Sequence, residues 1–299
     1  MKLRNVLILH KKSTFQLQAL EHKEANFIKL LEQGHESVTR VKIAHAEHVA
    51  TLEALEGELK RRGVQFKSLA RAEFEHEDIA GIDLIIAVGG DGTFLDASHH
   101  VKTSPILGVN SSTSSSFGHF CLANKNTIVK VLDDIESDAI KPRPLVRLEI
   151  SINGETKPDQ VLNELLVSHS HPAAASRYFI GTNGKREEQR SSGVWVGTPA
   201  GSTGSLRSAG AKVLPITDQR FEYIVREACM RPNESWQLTA GILEQEQSLT
   251  IVSQMRTGAV FIDGQHIEYP LALGDKVIVR ESKTPLFAYV QENVNDIFL

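Results

Sequence analysis

With only two cysteines, Cys121 and Cys229, in 299 residues, the chain has neither a disulfide framework nor a cysteine-based zinc site. Long apolar runs are also missing. A stretch such as Leu84–Val88 is strand-sized, far below the roughly 20 residues that a membrane helix requires. The apolar start, Val6–Leu9, is too brief for a signal peptide, and nothing Arg-rich precedes it, so a cytoplasmic protein is the default expectation. Excess positive charge is absent: the formal net charge is -4, which gives no reason to expect a nucleic-acid partner. No fixed-period repeat suggests a solenoid or propeller.

What remains is ordinary globular composition, 41% hydrophobic and 23% charged, in a chain long enough for two domains. One stretch stands out, Asp83 to Leu95. Its apolar run reads as a buried strand that breaks into Gly89-Gly90-Asp91-Gly92, and Thr93 is placed to cap a helix carrying Phe94, Leu95, Ala97 and Val101. Glycines let a backbone approach a bulky anion, and free N–H groups at a helix start point at negative charge. Asp91 would repel phosphate. Its task is therefore different: holding a metal ion or taking a proton from an attacking hydroxyl. The alternative is that Asp91-Gly92 is a hairpin turn between strands, against which the helical pattern that follows argues.

The order of elements reads as α/β first and β-rich afterwards. Val6–Leu9, Val64–Leu69, Leu84–Val88 and Pro105–Val109 are expected strands, separated by one helical pattern from Leu17 to Leu31 that stops at Gly34 and another from Val49 to Leu59 that stops at Gly63. Such alternation argues for a mostly parallel sheet covered on both faces. The serine run Ser111–Ser116 is either a solvated linker or part of a ligand site at the carboxyl ends of the strands. A helix over about Asn126 to Ile135 follows. From Pro144 the pattern turns to strands: Leu145–Ile152, Val161–Val167, Gly193–Val196, Leu249–Val252, Ala259–Ile262 and Lys276–Arg280, with Asn153-Gly154, Asn183-Gly184 and Asp263-Gly264 as turn pairs.

Three more clusters carry chemistry. Asn163 and Glu164 interrupt an apolar strand, and burying them unpaired would cost several kcal/mol, so they face solvent, each other or a ligand. The glycine- and hydroxyl-rich string Gly197 to Ser205, continuing to Ser208, can wrap phosphate or ribose oxygens. Phe261 to Gln265 reads as a strand ending in a turn. The histidines His99-His100 and His169-x-His171 lack a third ligand and read as surface or capping groups, and Trp195 and Trp236 as packing residues.

Together these clusters resemble the NAD kinases, within the wider group that includes diacylglycerol and sphingosine kinases. Gly89-Gly90-Asp91-Gly92-Thr93 looks like the signature of the whole group. Asn163-Glu164 and Thr198-Pro199-x-Gly201-Ser202-Thr203 look like the two further signatures of NAD kinases, and the likeness spans about Val6 to Val279. The Gly118–Leu122 and Ser191-Ser192-Gly193 strings look like the branch typified by mitochondrial NAD kinases. Ser192 and Ser205 stand where common members carry an aspartate and a tyrosine.

The resemblance implies an α/β domain over 1–141, a β-rich NAD-binding domain over 142–280 and a tail, 281–299, returning to the first, with NAD held between the domains. It implies transfer of the terminal phosphoryl group of a nucleoside triphosphate such as ATP to the 2'-hydroxyl of the adenosine ribose of NAD, giving NADP. Asp91 would be the general base. Gly90, Gly92 and Thr93 would handle phosphate, with Asn110 also among the binding residues. Asn163 and Glu164 would hold the nicotinamide-side ribose, Thr203, Gly204 and Ser208 would line the adenine and ribose pocket, and Thr198 is also among the binding residues. Mg2+ would bridge the phosphates, and a homodimer or homotetramer is implied. A lipid or small-alcohol kinase of the same group, or a non-catalytic NAD/NADP-binding regulator, are the alternatives. The absence of a membrane-seeking basic segment counts against a lipid substrate.

Overall fold

The computed structural model describes residues 2–74 and 81–298. The chain divides into two compact units, Met1–Arg143 with Phe287–Gln291, and Pro144–Leu286 with Glu292–Leu299.

In the first unit β1 (Asn5–His10), β2 (Gln65–Ala70), β3 (Leu84–Gly89), β4 (Ile106–Asn110) and β5 (Cys121–Asn124) run parallel. The sheet order is β2-β1-β3-β4, then Leu286–Tyr289, then β6 (Arg143–Leu145), with β5 also beside β4. Every residue of β3 is buried, as a central parallel strand requires. Helix α1 (Ala25–Glu32) has no buried residue, and α2 (Val41–Arg61), α3 (Asp91–His100) and α4 (Ile128–Glu136) supply the cover. Leu55 and Leu59 of α2 and Ile128, Leu132 and Ile135 of α4 share one core with Val6, Ile8, Ile86 and Val109. Each such side chain contributes roughly 1.5–3 kcal/mol when fully buried. Arg62 ties the two helices together, reaching Glu58 at 2.6 Å, Asp133 at 2.6 Å and Glu136 at 2.7 Å.

Two helical expectations change. The pattern from Leu17 to Leu31 is two pieces, a π-helical turn Gln16–Glu21 and α1, because Lys23 adopts φ +52° between them. Apolar spacing continues across such a break and does not report it. The second helix begins eight residues earlier than expected, at Val41, since its first turns lay down no continuous apolar stripe: Ile43 is exposed.

The second unit is built on two six-stranded antiparallel sheets. Its strands are β7 (Leu148–Ile152), β8 (Glu155–Thr156), β9 (Glu164–His169), β10 (Ser176–Thr182), β11 (Lys185–Ser191), β12 (Val194–Gly197), β13 (Phe221–Val225), β14 (Ala240–Leu243), β15 (Ser248–Ser253), β16 (Gly258–Ile262), β17 (Ile267–Leu271) and β18 (Lys276–Glu281). One sheet has the order β11-β10-β15-β18-β7-β8 and the other β14-β13-β12-β9-β16-β17. Alternate residues of both enter a single core, Ile150, Tyr178, Ile251 and Val279 from the first and Leu165, Val167, Val196 and Val260 from the second. The strand expected over Leu145–Ile152 is in fact two, on different sheets. Val146 and Arg147 separate them, and the buried Arg147 guanidinium donates to the Thr284 carbonyl at 2.9 Å. All three turn pairs place both residues at positive φ, closing the hairpins β7–β8, β10–β11 and β16–β17.

Candidate active site

In the first unit the candidate residues gather at the carboxyl ends of parallel strands, the usual ligand-binding edge of such sheets. Gly89 ends β3, and α3 starts at Asp91 with Gly90 as its N-cap. Thr93 is therefore not the cap. It lies inside the first turn, buried, with its N–H donating to the Gly90 carbonyl at 3.0 Å. A Cβ on Gly89 would lie 2.1 Å from the Thr93 hydroxyl oxygen, and one on Gly90 would lie 2.5 Å from the Ser116 hydroxyl oxygen. Gly92 is different, because a Cβ there would meet nothing within 4 Å. Packing demands the first two glycines, and the third leaves open space at the helix start.

Asp91 Oδ1 accepts the Phe120 N–H at 2.9 Å, which fixes the carboxylate, and Phe120 in turn stacks on Phe94 at 5.1 Å. Beside it, burial and then the Asp91 charge push the Cys121 thiol up to about 12, so it is a neutral group. Lys11, which the sequence did not single out, directly follows β1, and its N–H donates to the Val88 carbonyl at 3.3 Å. Burial and then Arg71 lower its pKa. Lys11 and Arg71, both half-buried, stand at the carboxyl ends of the neighbouring strands β1 and β2 and make that edge of the sheet positive.

The serine run is a hydrogen-bonded turn, exposed only over 113–115. Ser111 and Ser112 are buried, the Ser112 and Ser114 hydroxyls donate to Glu47 Oε2 at 2.6 and 2.8 Å, and those bonds hold the Glu47 carboxyl below its ordinary range. Asn110 organises this turn. Its amide donates to the Ser116 and Phe117 carbonyls and accepts the Ser112 N–H at 3.1 Å, so both ends of the side chain brace this turn.

In the second unit the Asn163-Glu164 pair and the loop after β12 interlock. The Asn163 carbonyl accepts the Thr198 N–H at 3.0 Å, and a Cβ on Gly201 would lie 2.2 Å from that same oxygen. Thr198 is fully buried and its hydroxyl donates to the Leu162 carbonyl, so its side chain is a loop brace, contrary to the ligand contact expected of it. Glu164 is buried, and its Oε1 accepts the Ser205 hydroxyl at 3.2 Å. Its Oε2 is buried without a hydrogen bond among the described residues. Burial first, then the Asp263 carboxylate, push Glu164 up to about 7.

Asp263 does more than end a strand. Its carboxylate accepts the N–H groups of Leu162, Asn163 and Glu164 at 2.9, 2.7 and 3.1 Å, and so pins the pair from a hundred residues away in sequence. The Asp-Gly turn was visible, but its side-chain task was not. Thr203, Gly204, Ser205 and Ser208 line a cavity of about 750 Å3 with Trp195, Arg226 and Glu227. Trp195, expected in packing, thus faces a cavity. Ser192 donates to Glu227. Among the described residues no group of three or more His, Cys, Asp or Glu side chains is arranged to hold a metal ion, and no helix is long and apolar enough to cross a membrane.

A family model described as the ATP-NAD kinase N-terminal domain matches residues 6–140. A probable NADH kinase of Oryza sativa subsp. japonica is 32% identical over 269 residues, covering 83% of this chain and 82% of that protein. The chain belongs to the NAD kinase family. An NADH kinase of Arabidopsis thaliana is 28% identical over 271 residues, covering 80% of this chain and 82% of its own. Among solved structures, an NAD kinase from Archaeoglobus fulgidus in complex with ATP superposes with a TM-score of 0.69 at 18% identity, over 98% of this chain and 96% of that one. Yeast NADH kinase complexed with NADH gives 0.68 at 18% identity, over 99% and 86%. The NAD kinase fold, a mostly parallel α/β unit and a β-rich unit, is therefore that of this chain.

Proposed function

We propose that this NAD kinase family member transfers the terminal phosphoryl group of ATP to the 2'-hydroxyl of the adenosine ribose of NAD, forming NADP. The observation that carries the reading is the interlock in the second unit, where buried Glu164 accepts the Ser205 hydroxyl and Thr203, Gly204, Ser205 and Ser208 line the adjoining cavity of about 750 Å3, room for a sugar and base. The two units are taken as the two functional domains. The first handles phosphate and the second selects the acceptor.

In the first unit Gly90, Gly92 and the α3 N-terminus receive phosphate through backbone N–H groups, with Lys11 and Arg71 adding charge. Thr93 contributes through its place in the first turn. Asp91 keeps one oxygen on the Phe120 N–H, and its other oxygen takes the proton of the 2'-hydroxyl as that oxygen attacks. Asn163 and Glu164 hold ribose hydroxyls, and Thr203, Gly204 and Ser208 shape the adenosine side. Magnesium favours phosphate oxygens and water with one or two carboxylates. A single carboxylate at the glycine turn, Asp91, fits a cation that arrives on the donor's phosphates. There it would neutralise charge on the transferred group.

The purified protein incubated with ATP, Mg2+ and either NAD or NADH, with a coupled readout of the phosphorylated product, tests the proposal. Product from NAD supports it, product from NADH alone corrects the acceptor to the reduced dinucleotide, and phosphorylation of diacylglycerol or sphingosine in place of either refutes it. The resemblance also supports a homodimer or homotetramer, read by light scattering after gel filtration. A cytoplasmic location belongs to the same proposal and is read by cell fractionation.

A further inference from the structure

Glu227 lines the same cavity as Thr203, Gly204 and Ser208, and phosphoryl transfer has no use for it. It follows β13 at one remove and adopts φ +46°, a left-handed conformation uncommon for a residue with a long side chain. Its neighbours are clamped: the Ser192 N–H donates to the Arg226 carbonyl at 3.0 Å, and the Arg226 N–H donates to the Gly193 carbonyl at 2.8 Å. The Ser192 hydroxyl then donates to Glu227 Oε2. Oε1 has no hydrogen bond among the described residues. On the same lining lies the Trp195 ring, with the Arg226 guanidinium 5.4 Å from its centroid.

A flat aromatic surface and an oriented carboxylate are a specific combination. The ring suits a planar heterocycle. The carboxylate accepts hydrogen bonds and donates none, so it favours a partner carrying N–H and repels phosphate. We infer that Glu227, oriented by Ser192, is a specificity residue that accepts a hydrogen bond from an exocyclic NH2 group on a base of the acceptor dinucleotide. The inference rests on the proposed function for the identity of that acceptor. NAD offers the same chemistry twice, in the 6-amine of adenine and in the carboxamide of nicotinamide.

Calorimetric binding and kcat/KM are measured for NAD, for nicotinamide hypoxanthine dinucleotide (a carbonyl in place of the adenine amine) and for 3-acetylpyridine adenine dinucleotide (a methyl ketone in place of the carboxamide). The wild-type protein is expected to disfavour one analogue by roughly 10- to 100-fold, the span of a lost hydrogen bond to a charged group. That analogue identifies the base. Glu227→Ala should erase the discrimination, and Glu227→Gln, which keeps an acceptor oxygen, should restore part of it. Turnover of all three dinucleotides with the same ratios in wild type and Glu227→Ala overturns the inference and leaves the kinase reading standing. Discrimination in binding without any phosphorylation does the reverse, and absence of NAD binding overturns both.

Discussion

Glu164 offers a test in which structure sets both the sign and the size of the effect. Its side chain is buried, lies near the Asp263 carboxylate and has one oxygen without a donor, so burial and then Asp263 raise its pKa from 4.5 to about 7. Below pH 4.5 the group is protonated in the folded and unfolded chain alike, and stability is unaffected. Between 4.5 and about 7 the unfolded chain has released the proton while the folded chain keeps it, so stability falls as pH rises. Above about 7 the whole penalty is in place. At about 1.4 kcal/mol per pH unit it is on the order of 3 kcal/mol.

Glu164→Gln removes this penalty. The variant should match wild type near pH 4 and exceed it by about 3 kcal/mol near pH 8.5. Urea unfolding followed by tryptophan fluorescence reads the relevant unit, because both tryptophans, Trp195 and Trp236, belong to it. Glu222, which burial also raises to about 7, is present in both proteins and cancels in the difference. A wild-type-to-variant gap that stays constant from pH 4 to 8.5 would refute the reasoning. In the catalytic assay the ionised carboxylate is the better acceptor for ribose hydroxyls, so KM for NAD should fall as pH rises through about 7, and the Gln variant should lack that dependence.

Other predictions concern single side chains. Asp91→Asn should keep the fold and most NAD affinity while slowing turnover roughly 10²- to 10⁴-fold, the usual value of a general base; unchanged turnover would remove Asp91 from that role. Lys11→Met should raise KM for ATP about tenfold, in line with a lost charge-assisted contact, without moving KM for NAD, and equal shifts in both would point to a general structural effect. Gly201→Ala drives a Cβ into the Asn163 carbonyl at 2.2 Å. It should cost about 1–3 kcal/mol of stability in the second unit and raise KM for NAD, both readable in the same fluorescence and coupled assays.

Much of the fold was legible because local chemistry reported it. The apolar run Leu84–Val88 could only be a buried strand, and the three Asn-Gly or Asp-Gly pairs are turns in the structure as in the sequence, since those residues accept positive φ at little cost. Strands such as Ser176–Thr182 and Lys185–Ser191 were missed although they flank the visible Asn183-Gly184 turn. Lys185–Ser191 is mostly polar, and its place in the sheet comes from pairing with β10 and not from its own hydrophobicity. The Leu145–Ile152 run shows the opposite failure: apolar character persists across the point where the chain leaves one sheet for another.

For the candidate site, the sequence alone supplied the reactive residue types and their order: the glycine turn with Asp91, the Asn163-Glu164 pair and the hydroxyl-rich loop. Those features are local, and they carry the resemblance to NAD kinases. Only the tertiary structure decided which side chains line a cavity and which brace the scaffold. It assigned Thr198 and Asn110 to bracing, Asp263 to pinning the strand start, and Trp195 and Glu227 to a cavity wall. The physical reason is that a side chain's partners are set by backbone segments from distant parts of the chain. Whether a hydroxyl, amide or carboxylate remains available for chemistry depends on what those segments have already taken.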